Sequence, residues 1–256
     1  MSWLSGIIGG GIGAMIAGPF GAIIGAAIGS SMGGQPAASG SHIGYTDTER
    51  KQAIFFTAAF SMVGKLAKAD GRVCSNEIEA IQRVSREALG LDAQTRQFAI
   101  NVFSQAKDSP ETFDHYAREF GELFWQDQQM CSFMMSFLFQ VAMADGSLHP
   151  SEEQMLQSAK QAFRLHDSVY QSMYSRFVGG SARTSTSLIK HFEILGISDE
   201  ASTGEIKKAY RKKAAEFHPD KIEGKGLPPE FIKFANDKLA EINASYEAVM
   251  SSRTAN

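Results

Sequence analysis

From Asp47 to about Val178, apolar residues return at steps of three and four, and no stretch alternates convincingly with a period of two. Ile54, Phe55, Ala58, Met62 and Leu66 set the pattern. A spacing near 3.6 places such residues on one helix face, whereas a half-buried strand needs alternation. The spacing predicts further helices over 76–89, 93–106, 111–125, 128–144, 150–163 and 167–177. Ser109-Pro110-Glu111 reads as a start, with a cap followed by proline at the first helical position. The fold class is therefore all-α, with a core rich in Phe and Met. At helical spacing, Phe124, Trp125, Phe133, Phe137 and Phe139 are expected in that core rather than around a ligand.

Charge divides the chain. The first 46 residues contain no Lys, Arg, Asp or Glu. Residues 4–32 are almost wholly apolar or small, which is longer than the ~20 residues a helix needs to cross a bilayer. Their many glycines would not hold a helix in water, but lipid penalises unpaired backbone so heavily that helix is favoured there. The expected span is 7–31, kinked at Pro19, after a short tail over 1–6. Met1-Ser2-Trp3-Leu4 lacks the basic start of a cleavable signal. Gly21, Gly25, Gly29 and Gly33 recur every fourth residue, a row that lets two membrane helices approach closely and dimerise. The nearest basic residues, Arg50 and Lys51, follow the span, so the tail is expected in the periplasm and the bulk in the cytoplasm. Residues 32–46 and 179–187 read as flexible linkers.

Composition excludes several functions. A net charge of -3 gives no general affinity for nucleic acid. Cys74 and Cys131 are far apart with no CxxC, which excludes a zinc ribbon or disulfide framework and fits a reducing compartment. His115, His149 and His166 have no ligand spacing, and no metal is expected. No nucleophile–base pair, phosphate loop or cofactor motif is present, so neither an enzyme nor a cofactor is expected.

The helical region contains an echo. Lys68-Ala69-Asp70-Gly71-Arg72-Val73-Cys74-Ser75-Asn76-Glu77 is matched by Met143-Ala144-Asp145-Gly146-Ser147-Leu148-His149-Pro150-Ser151-Glu152. Each glycine is suited to ending a helix in a left-handed conformation, and each glutamate to the first turn of the next. This doubled pattern over 47–178 resembles the TerB tellurite-resistance domain, and the resemblance brings with it a metal- or tellurite-responsive sensor as an alternative function. One Asp and one Glu per copy fall short of a calcium loop.

The last stretch is the most specific. Phe192-Glu193-Ile194-Leu195-Gly196 closes a short helix, and Ser202-Thr203-Gly204-Glu205 is a capping box that opens a second. That second helix is expected to bury Ile206, Ala209, Tyr210 and Phe217 and to expose Lys207, Lys208, Arg211, Lys212 and Lys213. The loop His218-Pro219-Asp220 follows, because proline stops the helix. A third helix runs from about Pro229 to Met250, with Phe231, Phe234, Ala235, Leu239, Ile242, Tyr246 and Val249 inward. Over 188–256 eleven bases balance eleven acids, so the basic helix does not make the module a nucleic-acid binder.

These elements, in this order, resemble the J domain of DnaJ-type co-chaperones. Lys221-Ile222-Glu223-Gly224-Lys225-Gly226-Leu227-Pro228, and the layout of membrane helix, TerB-like region and terminal J domain, look like the DjlA branch of membrane-bound DnaJ-like proteins. The resemblance implies a co-chaperone of the Gram-negative inner membrane. It would bind a DnaK-class chaperone through His218, Pro219, Asp220, Lys207, Lys208, Arg211, Lys212 and Lys213 and stimulate its ATP hydrolysis, regulating client or envelope-stress signalling at that membrane. His191 departs from the aromatic residue of the family's short helix. The Gly/Phe-rich segment and cysteine repeats of full DnaJ are missing, which argues against independent holding of unfolded clients.

Overall fold

A computed structural model of the chain describes residues 16, 18–31, 46–69, 82, 84–178 and 187–254. Among these residues there is no strand. The linkers over 32–45 and 179–186 lie outside them.

Helix α2 (Asp47–Ala67) is the axis of the helical domain. It starts where Thr46 and Glu49 form a reciprocal cap. Every residue over 53–66 is buried, as befits a helix surrounded by others. One of them is Lys65, whose ammonium donates to the carbonyls of Ser109 (2.9 Å) and Lys107 (3.4 Å). Those oxygens lie at the end of α3 (Ala93–Asp108), where the helix cannot satisfy them itself and a cation suits the dipole.

Around this pair come α4 (Phe113–Phe124), α5 (Gln128–Ala142), α6 (Pro150–Ala162) and α7 (Asp167–Phe177). Helix α4 begins later than Ser109-Pro110-Glu111 predicts, because the Thr112 hydroxyl is the group that accepts from His115 N–H. The helix predicted over 76–89 is described only near its end, as a π-helical turn over Val84–Ala88. From residue 70 onward the first Ala-Asp-Gly copy lies outside the described residues. In the second, α5 stops at Ala142 and Gly146 takes the left-handed conformation at φ +91°. His149 then caps α6, and Glu152 reaches back to its N–H at 2.9 Å.

Phe124, Phe133, Phe137 and Phe139 are buried as expected. Trp125 is not: it is 38% exposed, with the Arg164 guanidinium 4.4 Å from its ring centre. It follows the last residue of α4, where the buried face runs out. Cys131 is buried, which pushes its thiol up to about 12. Cys74 lies outside the described residues.

The expected continuous span over 7–31 needs correction. Its described part is helix α1 (Pro19–Ser31), and Gly18 before it has φ +91°, which no continuous right-handed helix contains. Pro19 therefore opens a helix rather than kinking one, consistent with its fixed φ and missing donor. Phe20, Ile23, Ile24 and Ala27 are buried against the helical domain, with Phe20 stacked 5.8 Å from Tyr116. No helix among the described residues is long and apolar enough to cross a membrane. Residues 7–15 lie outside the described residues.

The C-terminal module consists of α8 (Ser187–Leu195), α9 (Thr203–Glu216), the short α10 (Pro219–Glu223), a 3-10 turn (Pro229–Phe231) and α11 (Ile232–Thr254). Helices α9 and α11 pack together and α8 lies on both, as the predicted hairpin requires. The rings of Tyr210 and Tyr246 stack at 4.2 Å, and the Tyr210 hydroxyl donates to Asn243. Ile206 and Phe217 are fully buried, while Ala209 and Tyr210 are half-buried. The inward row that runs from the 3-10 turn into α11 does more than close the module. Phe231 lies 5.1 Å from both Phe55 and Phe137, and Phe234 lies 5.2 Å from Phe133. The module is thereby seated on α2 and α5 of the helical domain.

Candidate functional site: the basic helix and its tripeptide

Helix α9 begins at a capping box: Glu205 N–H donates to the Ser202 hydroxyl at 3.3 Å, and Ser202 N–H to the Glu205 carboxylate at 2.8 Å. The Ser202 hydroxyl also donates to that carboxylate at 2.7 Å, and these two donors, hydroxyl and N–H, hold the Glu205 carboxyl below the usual range. From this fixed start, Lys207, Lys208, Arg211 and Lys212 are all exposed. At 100° per residue they occupy one arc of about 140°. They form a basic ridge along one side of the helix.

Lys213 is not part of it. Only 8% of it is exposed, and burial pulls its pKa down, opposed by the neighbouring Glu216 carboxylate. The reason is periodicity: Ile206, Lys213 and Phe217 fall seven and four residues apart, on the face that packs inward. The expectation that Lys213 joins the exposed ridge is corrected.

The helix ends at Phe217, whose ring is buried 6.0 Å from Phe133. His218 then takes an extended conformation and opens α10, with Pro219 at its first position. The His218 carbonyl accepts from Lys221 and Ile222, while its side chain makes no capping bond. His218 and Asp220 are exposed and Pro219 is half-buried. The tripeptide is thus displayed in a short ordered turn directly after the ridge. The arrangement presents four cations and an exposed carboxylate side by side, a pattern complementary to an acidic, polar surface.

The other anticipated residues are distributed differently. Of the glycine row, Gly21 is buried against the helical domain and Gly25 is exposed. The side of Gly29 is not described, and Gly33 lies outside the described residues. Asp145 accepts from Ser147 N–H and Glu152 from His149 N–H, so both acids of the second copy are used in turns. Among the described residues, no three His, Cys, Asp or Glu side chains are grouped to hold a metal. Residues that the sequence did not single out are Asp127 and Gln129, at the start of α5. Lys225 pairs with Asp127 at 2.9 Å, and Gln129 bonds the last carbonyls of α9.

Comparison with known proteins agrees with this division. Residues 56–174 match the model of the TerB tellurite resistance protein, and residues 190–254 match the DnaJ domain. No solved structure matches the chain. Co-chaperone protein DjlA of Photobacterium profundum is 30% identical over 79% of this chain and 79% of its own. That of Shewanella oneidensis is 31% identical over 80% of each. That of Aliivibrio fischeri is 32% identical, over 80% of this chain and 81% of its own. With both modules present in order and an identity of this size across most of both chains, the protein belongs to the DjlA family of J-domain co-chaperones.

Proposed function

We propose that this co-chaperone binds a DnaK-class chaperone and accelerates its ATP hydrolysis, acting as a regulator rather than as an enzyme. The observation that carries the reading is the exposed His218-Pro219-Asp220 turn placed directly after the ridge of Lys207, Lys208, Arg211 and Lys212. The ridge steers and holds the partner's acidic surface, a term that weakens as salt rises. Asp220 and His218 then bias the partner toward its hydrolysing state, which is coupling between two sites. The test is single-turnover ATP hydrolysis by the chaperone with the full chain, His218→Gln and Asp220→Asn. Wild type is expected to stimulate and both variants to fail with unchanged helical content. Stimulation by the variants equal to wild type overturns the reading.

The second part of the proposal concerns place. The charge-free segment over 7–31 anchors the protein in the bacterial inner membrane, with the short tail periplasmic and the two modules cytoplasmic. The row of Gly21, Gly25, Gly29 and Gly33 pairs two copies in the bilayer. What supports this is the composition of the segment and its lack of charge. In that state lipid would replace the helical domain as the surroundings of Phe20, Ile23 and Ile24. Alkaline extraction of membranes tests it: release of the full chain into the soluble fraction sinks the anchor.

A further inference from the structure

The end of α9 is gripped from outside its own module. The Gln129 side-chain amide donates to the carbonyls of Ala215 (3.0 Å) and Glu216 (2.9 Å). These belong to the last turn of the helix, whose oxygens have no partner within it. Two residues later the tripeptide begins. Beyond it, Lys225 is held by the Asp127 carboxylate at 2.9 Å. Asp127 is itself fixed as the N-cap of α5, accepting from Gln129 N–H (3.2 Å) and Met130 N–H (3.3 Å). Phe217, between the two grips, is buried beside Phe133 on the same helix. The start of α5 therefore holds the chain on both sides of His218-Pro219-Asp220, while His218 and Asp220 remain exposed. A contact that blocked the tripeptide would bury it; this one leaves it open and fixes its flanks.

We propose that Asp127 and Gln129 of the TerB-like domain are positioning residues for the J-domain tripeptide. They hold the turn in advance in the orientation that acts on the chaperone. A turn held beforehand keeps a larger share of docked complexes in the acting geometry, which sets the maximal rate while the ridge sets the affinity. The helical domain becomes a working part of the co-chaperone, and a ligand that displaced the start of α5 would turn stimulation down. The inference rests on the co-chaperone reading above.

The experiment is single-turnover hydrolysis by a DnaK-class chaperone, measured against concentration of the full chain for wild type, Gln129→Leu and Gln129→Lys. Leucine keeps the bulk and removes both donors; lysine restores donation to the same carbonyls. Gln129→Leu is expected to lower maximal stimulation about three- to tenfold, the scale of one to two neutral hydrogen bonds. The half-saturating concentration, set by the ridge, stays near that of wild type, and Gln129→Lys recovers most of the maximum. Thermal unfolding of each variant accompanies the assay. Full stimulation by Gln129→Leu overturns the positioning role and leaves the co-chaperone function standing. So does a loss that follows thermal stability and is not rescued by lysine, or one confined to half-saturation. Absence of stimulation by wild type removes the co-chaperone reading, and this inference with it.

Discussion

The helical domain receives two visitors, α1 and the C-terminal module, and seats them by different chemistry. Helix α1 is held by Phe20, Ile23, Ile24 and Ala27, with few polar bonds. Asn101 donates to the Ala27 carbonyl at 3.4 Å, and Phe20 N–H donates to the Glu119 carboxylate at 3.3 Å. The C-terminal module is held by an aromatic cluster, the Gln129 grip and ion pairs. Arg176, almost wholly buried, meets Glu241 across the seat at 2.8 Å, and within α11 Lys238 meets the same carboxylate at 3.3 Å. Burial raises the Glu241 pKa, but the two cations outweigh it and hold the group below its ordinary range. Apolar contact alone is indifferent to what supplies it, and the proposed membrane anchoring relies on that: there the α1 face would exchange protein for lipid. Directional bonds and matched charges admit one partner, so the second seat specifies an orientation.

The strongest way to break this contrast is Phe231→Ala. Its ring is shared by Phe55, Phe56, Phe133 and Phe137, and truncation is expected to cost about 3–5 kcal/mol. Because the cluster belongs to both modules, calorimetry should show wild type and variant each unfolding in one transition. Two separated transitions in wild type would mean that the module is tethered rather than seated.

A smaller effect is expected from Lys213→Met, which keeps the chain length and removes a cation whose burial is disfavoured. The unfolding midpoint should rise by about 2–4 °C, the equivalent of about 1 kcal/mol in a chain of this size. Stimulation of the chaperone should persist, since the residue is not on the ridge. A lower midpoint would show that Lys213 stabilises the seat.

The last effect belongs to the α1 seat and depends on pH. Burial pushes the Glu119 carboxyl up from 4.5 to about 7. The folded state thus favours the protonated acid, and the unfolded chain releases that proton earlier. Stability from this group is full below about pH 4.5 and is lost as pH rises toward 7. Glu119→Gln should flatten the fall in unfolding midpoint across that window and leave the aromatic seat untouched. An unchanged pH profile would remove Glu119 from the account of how α1 docks.

The helices of the domain were legible because a buried face must repeat near 3.6 residues, and 128–144 and 150–163 fall close to α5 and α6. The tripeptide and capping box were legible because they are local. The seat between modules was not. Phe231 and Phe234 occupy the same inward row whether they pack within the hairpin or beyond it, and periodicity cannot name the neighbour. Gln129 carried no signal, being one amide among several at the start of a helix. Lys213 did carry one: its spacing from Ile206 and Phe217 places it inward, and its charge obscured that. In 7–31, hydropathy reported an apolar surface without saying what would cover it.

The Phe55–Phe231 contact joins α2 to the 3-10 turn that leads into α11. On a ribosome adding about 5–20 residues per second, the second ring follows the first by on the order of ten to thirty seconds. Throughout that interval Phe55 and Phe56 of α2 lack the ring that covers them from the C-terminal module. A newborn copy therefore passes through a state of the kind that chaperones capture, and its core closes only when the regulatory turn has itself been made.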